Sequence, residues 1–299
     1  MPDEKLLIQP STLWESVKKQ TSHALECGAL LSIPTEFEFI EQDGIKFLVR
    51  ILSNLARKDT AKKKSPGVEF NPFLPYEEDL FVTDISDTHV CILNKFNVVD
   101  YHLLIITRAF EQQESLLTLA DFTAMWACLD GIDGLVFYNA GKNAGASQRH
   151  KHLQLVPLPL TNSGTKTPIE PLLASAKFQD TIATIPGLPF VHAFAKLNPT
   201  WVESPLSGAK ATLEIYHNLL QAVNLGAIDG DRQSGAYNLL ATREWMLIVP
   251  RSQEHFQSIS VNSLGFAGAL LVKNKSEMQI LKHQAPMNIL KNVAKLIDK

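Results

Sequence analysis

A short run of polar side chains within an otherwise apolar stretch is the first candidate for chemistry in this chain. The run is His150-Lys151-His152-Leu153-Gln154. Successive side chains of a β-strand point to opposite faces, so His150, His152 and Gln154 would share one face of a strand. Three polar groups in line at a spacing of about 7 Å make a poor core face. The pattern therefore indicates imidazole chemistry on a strand.

The loop before these histidines, residues 140–149, is rich in glycine and alanine. Glycines such as Gly145 let backbone N–H groups approach a ligand closely, and Ser147 adds a hydroxyl donor. These donors suit a phosphate group. The loop is not a Walker loop, because Gly141-Lys142 is followed by Asn143, and the chain has no GxGxxG dinucleotide fingerprint.

Three interpretations of the His-x-His-x-Gln segment stay open from the residues alone. The histidines could be satisfied structural residues of a core. They could be a metal-binding His-x-His pair, which would need a third carboxylate or cysteine ligand because glutamine is a poor one. The third interpretation, nucleophilic attack by a histidine on a phosphate, accounts best for the polar face behind a glycine-rich loop.

The elements that would position this segment predict an α+β fold. Strand patterns occur at residues 37–40 and 45–51 around Asp43-Gly44, at 80–82, 88–93, 102–107, 135–139, 150–156 and 190–195, and at 236–242 and 245–249. Helix patterns occur at residues 11–33, from Thr118 onward, at 211–223 and at 287–297. Short loops and hairpins connect most of the strands, which favours an antiparallel sheet with flanking helices.

A weak internal repeat indicates two fused pseudo-repeats in one body. Tyr138-Asn139 with Val156-Pro157 is matched by Tyr237-Asn238 with Val249-Pro250. The alignment sets Arg243, Trp245 and Leu247 opposite His150, His152 and Gln154, so only the first copy keeps the polar face. We therefore predict a catalytic N-terminal half at residues 1–165 and a degenerate C-terminal half at residues 166–299.

Composition excludes several classes of protein. The chain of 299 residues is 45% hydrophobic with a formal net charge of −3, which rules out a disordered chain and argues against a non-specific nucleic-acid coat. No apolar stretch is long enough for a membrane span, and the N-terminal residues lack the apolar run of a secretory signal. The three cysteines are too few and too scattered for a disulfide framework. We expect a cytoplasmic protein with no nucleic-acid or membrane partner.

Residues 57–64 carry five basic side chains. They form either a solvated loop or a mobile basic loop that closes over polyphosphate.

Several motifs together resemble the diadenosine tetraphosphate phosphorylase (ATP adenylyltransferase) family, in the nucleotidyltransferase branch of the histidine-triad superfamily. The segment His150-x-His152-x-Gln154 resembles the histidine triad with glutamine in the third place. The other matches are Asn94-Lys95-Phe96 with Val98-Val99 and His102-Leu103, Asn71-Pro72-Phe73-Leu74-Pro75 with Asp79-Leu80, and Tyr237-Asn238-Leu239-Leu240 with Val249-Pro250-Arg251. The chain departs from the family at Asn97 and at Asp100-Tyr101, so no role is assigned to His102.

This resemblance implies a histidine-triad-like fold and a two-step reaction. His152 would be the nucleophile at the α-phosphorus of a dinucleoside polyphosphate, and inorganic phosphate would then release the nucleotide from the histidine. Diadenosine tetraphosphate would give ATP and ADP, and the reverse direction would join them.

The resemblance also implies roles for the surrounding residues. Gln154 would hold a phosphate oxygen and His150 would orient the nucleophile or tie the strand to a backbone carbonyl. The remaining substrate-binding residues would be Asn139, Gly145 and Ser147 at the α-phosphate, Asn94 and Lys95 at the nucleotide, and Lys58 at the distal phosphates. Mg²⁺ or another divalent cation would arrive with the nucleotide, without a protein metal site.

Three other functions stay open at this point. A hydrolase of the same superfamily would use water in place of phosphate, and a uridylyltransferase would act on sugar phosphates. A non-catalytic nucleotide sensor would bind without turnover. The sequence leaves the preferred polyphosphate, the base and the oligomeric state undetermined.

Overall fold

A ten-stranded antiparallel sheet forms the centre of the structure. The structure is a computed structural model, and it describes residues 5–52, 71–161, 164–228 and 230–297. The basic run at residues 57–64, with Lys58, lies outside the described residues. The strands are β1 (Thr35–Gln42), β2 (Ile45–Leu52), β3 (Phe81–Asp84), β4 (His89–Leu93), β5 (Leu103–Thr107), β6 (Gly134–Ala140), β7 (His152–Pro157), β8 (Lys177–Gln179), β9 (Ile182–Thr184), β10 (Ala193–Lys196), β11 (Tyr237–Ala241), β12 (Trp245–Pro250), β13 (His255–Phe256), β14 (Ile259–Ser260) and β15 (Ala269–Val272). The helices are α1 (Pro10–Glu26), α2 (Leu119–Gly131), α3 (Glu170–Leu173), α4 (Pro205–Ala222), α5 (Ser263–Phe266), α6 (Lys275–Gln284) and α7 (Pro286–Val293).

The large sheet is arranged almost symmetrically about its centre. Its strand order is β3-β4-β5-β7-β6-β11-β12-β10-β9-β8. The hairpins β6–β7 and β11–β12 lie on the two sides of the centre. Next to each hairpin lies the strand that precedes it in the chain, β5 beside β7 and β10 beside β12. Asn139 and Asn238 face each other where β6 pairs with β11. The predicted α+β fold with an antiparallel sheet and flanking helices is confirmed. The domain boundary at residue 165 stays a prediction.

Two apolar layers cover the two faces of this sheet. Helices α1, α2 and α4 pack on one face through a buried core that includes Trp126 and Tyr216. On the other face, β2, β15, α6 and α7 pack through a second core that includes Phe47 and Leu290. A smaller group of apolar side chains around Phe73 covers the part of that face beside β4 and β5. Among the helices that the structure describes, none is both long and apolar enough to cross a bilayer.

A second, three-stranded sheet joins the two ends of the described chain. The predicted hairpin around Asp43-Gly44 is confirmed as β1–β2, with Gln42 paired to Ile45. Strand β15 pairs in parallel with β2, with Ala269 opposite Leu48, and the sequence analysis did not predict this pairing. This pairing is long-range, so no local pattern could predict it.

Several predicted boundaries are wrong by a few residues, each for a local reason. Helix α4 begins at Pro205, six residues before the predicted start, because proline is favoured in a first helical turn. Helix α7 ends at Val293, since Ala294 instead pairs with Arg251 in an isolated β-bridge. Strand β10 begins at Ala193, because the His192 imidazole bonds to the backbone in place of the ladder. The predicted start of α2 after Thr118 is confirmed by a capping box with Asp121.

A buried ion network fastens β7 and the residues before it to helix α2. The ammonium of Lys151 lies 2.6 Å from Asp121 Oδ2 and 3.1 Å from Glu111 Oε2, and it donates to the carbonyl of Leu116. His89 bonds to the other oxygen of Asp121 at 3.1 Å. Burial opposes the charge on Asp121, but the hydrogen bond from His89 and the charge of Lys151 prevail and lower the pKa of that carboxyl well below its usual range.

We expect Lys151→Met to lower the free energy of unfolding by about 3–5 kcal/mol, because it leaves a buried carboxylate without its cation. Chemical denaturation followed by circular dichroism measures this change. Lys18→Met is the matched control, since Lys18 forms an exposed pair with Glu15 and its loss should cost less than about 1 kcal/mol. Equal losses in the two variants would contradict a stabilising role for the buried network.

Candidate active site

The predicted polar face exists, and it begins at the central strand β7. His152 and Gln154 pair with Ile106 and Leu104 of β5. Leu153 and Leu155 alternate with them and enter the core beneath helix α2. His150 lies before the strand, but its ring and that of His152 both contact Phe73, at 5.6 and 5.2 Å between centroids. The structure therefore brings His150, His152 and Gln154 together, as predicted.

The strand starts at His152 and not at His150, because a side chain interrupts the ladder between β6 and β7. Gln113 accepts from the backbone N–H of His152 at 2.9 Å. Its amide nitrogen donates to the carbonyls of Asn139 at 3.0 Å and of His152 at 3.3 Å. Gln113 thereby satisfies the backbone where the two strands separate. The sequence analysis missed this residue, since nothing in its spacing connects it to a strand 39 residues later.

The imidazole of His152 is buried, with one nitrogen committed. Nδ1 donates to the carbonyl oxygen of His150 at 2.8 Å, so Nε2 carries the lone pair. The side chain is only 4% exposed. This burial lowers the pKa of His152 to about 4, although the hydrogen bond to the His150 carbonyl acts in the opposite direction. The His152 ring is consequently neutral over the physiological pH range, with a lone pair on Nε2.

His150 acts on His152 through its backbone and is itself held on both ring nitrogens. Its Nε2 donates to the carbonyl of Thr107 at 2.8 Å, and its Nδ1 accepts from the amide of Asn71 at 3.1 Å. Burial lowers the pKa of His150, which keeps this ring neutral too. Of its two predicted roles, tying the strand to a backbone carbonyl is performed by the ring. The His150 carbonyl fixes the orientation of the His152 ring, and the role of that ring as nucleophile stays a prediction.

Gln154 connects to Asn94 through His102. The side-chain oxygen of Gln154 accepts from His102 Nε2 at 3.0 Å, and His102 Nδ1 accepts from the amide of Asn94 at 3.1 Å. This chain fixes the orientation of the Gln154 amide. Its NH₂ group donates to no other described residue and can serve an external oxygen. His102, which was given no role from the sequence, is thus the group that orients Gln154.

The glycine-rich loop is held by the C-terminal half of the chain. Gly141 and Gly145 have φ values of +92° and +90°, which side-chain-bearing residues rarely adopt. A Cβ on Gly145 would meet the carbonyl of Val261 at 3.0 Å. Asn238 of β11 donates to the carbonyl of Ala144 at 2.9 Å, so the loop rests on the second hairpin.

Asn139 belongs to the same network. Its side-chain oxygen accepts from the amide of Asn238 and from the backbone and hydroxyl of Ser263, at 2.8 to 2.9 Å. The Arg251 guanidinium bonds to Asn238 as well, and also to the carbonyl of Val261 at 2.9 Å. The side-chain oxygen of Asn139 is therefore already bonded to Asn238 and Ser263. The residue itself lies on the same face of the sheet as His152.

Lys95 and Ser147, which were also predicted to bind substrate, take part in none of the hydrogen bonds described above. Lys95 forms an ion pair with Glu77, at 2.5 Å from one carboxylate oxygen. Ser147 is exposed in the segment between Gly145 and His150. Lys58 lies outside the described residues.

The comparisons with known proteins agree along the whole chain. Residues 3–175 match the family model described as the Ap4A phosphorylase N-terminal domain, where Ap4A is diadenosine tetraphosphate. Residues 186–295 match the model described as the ATP adenylyltransferase C-terminal domain. The protein diadenosine 5',5'''-P1,P4-tetraphosphate phosphorylase 2 of Saccharomyces cerevisiae is 30% identical over 266 residues, covering 80% of this chain and 80% of that protein.

Solved structures show the same fold. The crystal structure of yeast Ap4A phosphorylase Apa2 superposes with a TM-score of 0.79 and 22% identity, covering 99% of this chain and 98% of that one. The crystal structure of that enzyme in complex with Ap4A gives a TM-score of 0.76, also at 22% identity, covering 97% and 99% of the two chains.

We expect the His152 ring to titrate far below an ordinary histidine, with a pKa of about 4 in place of 6.5. As the pH falls, the unfolded chain binds this proton before the folded chain does. His152 therefore does not affect the free energy of unfolding above about pH 6.5, and it lowers that free energy increasingly as the pH falls toward 4. NMR titration of the imidazole nitrogens, assigned with His152→Gln, measures the pKa. A midpoint near 6.5 would contradict the buried neutral ring.

We expect Asn238→Ala to release the glycine-rich loop. The change removes the donor to the Ala144 carbonyl and leaves buried polar groups unsatisfied, which should cost about 1–3 kcal/mol of stability. Hydrogen exchange at residues 141–145 should accelerate. Asn292→Ala, on the exposed side of α7, is the control and should change stability by less than about 0.5 kcal/mol. Unchanged exchange in Asn238→Ala would show that the hairpin does not hold the loop.

Proposed function

The chain belongs to the family of Ap4A phosphorylases and ATP adenylyltransferases, and on this premise we propose that it cleaves Ap4A with inorganic phosphate to ATP and ADP. The reaction is reversible and proceeds through a nucleotide bound covalently to His152. The observation that carries the proposal is the state of the His152 ring. Its Nδ1 donates to a carbonyl, the ring is neutral, and Nε2 is unprotonated with its lone pair available.

In the first step Nε2 of His152 attacks an α-phosphorus of Ap4A. The P–N bond forms, the bond from that phosphorus to the bridging oxygen breaks, and ATP leaves. The imidazole gains positive charge in this step. The hydrogen bond from Nδ1 to the His150 carbonyl then becomes charge-assisted and stabilises the intermediate.

In the second step an oxygen of inorganic phosphate attacks the same phosphorus. The P–N bond breaks, ADP leaves and His152 returns to its neutral form. Run backward with ATP as acceptor of the nucleotide, the same steps join ADP and ATP into Ap4A with release of phosphate.

Gln154 supports both steps without exchanging a proton. His102 holds its oxygen at 3.0 Å, so its NH₂ group is directed by a fixed partner and can bind a phosphate oxygen. Asn94 reaches the site through His102 and would meet the ribose on its free side.

The glycine-rich loop would bind the α-phosphate through the backbone near Gly145 and the hydroxyl of Ser147. Asn139 would contribute through its amide nitrogen, because its oxygen is engaged with Asn238 and Ser263. Lys95 would have to leave Glu77 to contact the nucleotide. Lys58 stays a proposal for the distal phosphates.

We further propose that Mg²⁺, or another divalent cation, binds together with the polyphosphate. The described side chains bonded to His150 and Gln154 are those of Asn71, Thr107 and His102, and they offer no carboxylate to a hard cation. The cation would neutralise the phosphates and leave the histidine nucleophile to the protein. The predicted cytoplasmic location stays a prediction.

The first test follows the fate of labelled phosphate. Wild-type protein with Ap4A and radioactive phosphate should place the label in ADP. Without phosphate it should release ATP and keep an acid-labile adenylyl group on the protein. His152→Ala should form no adduct and lose activity by at least about a thousandfold. His217→Ala, exposed on α4, should keep full activity.

The same experiment separates the alternatives. AMP formed equally with and without phosphate would identify a hydrolase. Transfer of uridylyl groups between sugar phosphates in preference to Ap4A cleavage would identify a uridylyltransferase. Binding without turnover would identify a sensor. Any of these outcomes overturns the proposed reaction, as would an adduct on folded His152→Ala.

A further inference from the structure

Three side chains with metal-binding atoms lie close together at the surface, and in the sequence they are distant from residues 150–154 of the candidate active site. They are His23 and Cys27 at the end of helix α1 and Asp79 in the short turn before β3. One ligand atom from each lies within 4.8 Å of the others. All three residues are exposed, so an ion has access to them.

The helix supplies two of the ligands with the right spacing. Residues four apart lie one above the other on the same face of a helix, so His23 and Cys27 point to the same side. Cys27 is the residue that ends α1, and its N–H still bonds to the carbonyl of His23 at 2.9 Å. The helical geometry therefore extends to both ligands.

Packing brings the third ligand from 56 residues away. The side chain of Gln20, one turn before His23, donates to the backbone carbonyl of Asp79 at 2.6 Å. Leu80 is buried in the same core as Val17 and Ala24 of α1. These contacts fix the Asp79 backbone, and its carboxylate lies 2.8 Å from Nε2 of His23.

We propose that His23, Cys27 and Asp79 form a Zn²⁺ site. An imidazole nitrogen, a thiolate sulfur and a carboxylate oxygen are the ligand types that zinc binds in proteins, and water would complete a tetrahedral set. Mg²⁺ and Ca²⁺ prefer all-oxygen sites, so the thiol favours zinc over the cation that accompanies a nucleotide. On binding, the Cys27 thiol loses its proton to solvent, and the ring proton of His23 moves from Nε2 to Nδ1 by exchange with solvent. Two bonds to the metal, from His23 Nε2 and the Asp79 carboxylate, then replace the hydrogen bond between these two side chains.

The site would tie helix α1 to the segment that leads into the active site. That segment carries Asn71, which donates to His150, and Glu77, which binds Lys95. A metal bound at Asp79 stabilises the folded chain by mass action, because the unfolded chain does not hold the three ligands together. The inference stands apart from the proposed reaction and does not depend on it.

The test uses untagged full-length protein, stripped with a chelator and titrated with Zn²⁺ alone, without nucleotide. Competition with a chromophoric chelator measures the affinity. We expect one zinc ion per chain, and we expect Cys27→Ser, His23→Gln and Asp79→Asn each to weaken binding at least about tenfold. His217→Gln removes an exposed histidine elsewhere, and His152→Ala removes the buried nucleophile. Both should bind zinc as the wild type does.

Thiol alkylation gives a second readout at the site itself. Cys91 and Cys128 are buried, so Cys27 is the cysteine that reacts in the folded protein. Zn²⁺ should protect Cys27 from alkylation in the wild type and should fail to protect it in His23→Gln. Equal zinc affinity in wild type and Cys27→Ser, or alkylation of Cys27 at the same rate with and without zinc, would overturn the proposal.

Discussion

The hydrogen bond from His152 Nδ1 to the carbonyl of His150 sets the conditions for the rest of the site. The carbonyl belongs to a residue outside the β-ladder, because β7 begins at His152. The interruption of the ladder exposes backbone groups, and the side chain of Gln113 satisfies them from a neighbouring loop. The His150 carbonyl thus fixes the tautomer of the His152 ring, and Gln113 satisfies the backbone where β7 begins.

Two buried polar networks keep this geometry from relaxing. Behind the strand, Lys151 is held by Asp121 of α2, so the residue between the two histidines cannot move independently of the helix. In front of it, Asn238 and Arg251 of the C-terminal hairpin hold the glycine-rich loop at Ala144. Both networks join distant segments through buried charged or amide groups. Losing one partner from such a network lowers stability, because the remaining polar groups stay buried without a hydrogen bond. The C-terminal hairpin therefore holds the glycine-rich loop that precedes the histidines.

The positions of the second hairpin that align with His150 and His152 carry side chains with structural contacts. Arg243, aligned with His150, donates to the carbonyls of Leu129 and Asp130 at the end of helix α2. Trp245, aligned with His152, is buried beside Phe194. The counterparts of His150 and His152 are thus a group that caps a helix and a group that fills a core. The symmetric sheet remains because it depends on pairing and apolar alternation, which these replacements leave intact.

By itself the sequence determined the α+β class, most of the strands and helices, and the shared face of His152 and Gln154, because these depend on local alternation and spacing. The motif at residues 150–154 also pointed to the family that the comparisons confirm. Only the tertiary structure decided what surrounds the motif. Gln113, His102 and Asn71 reach it from separate segments, the oxygen of Asn139 turns to Ser263, and β15 pairs in parallel with β2. These contacts join residues far apart in the chain, and their partners are chosen by packing, which no local periodicity records.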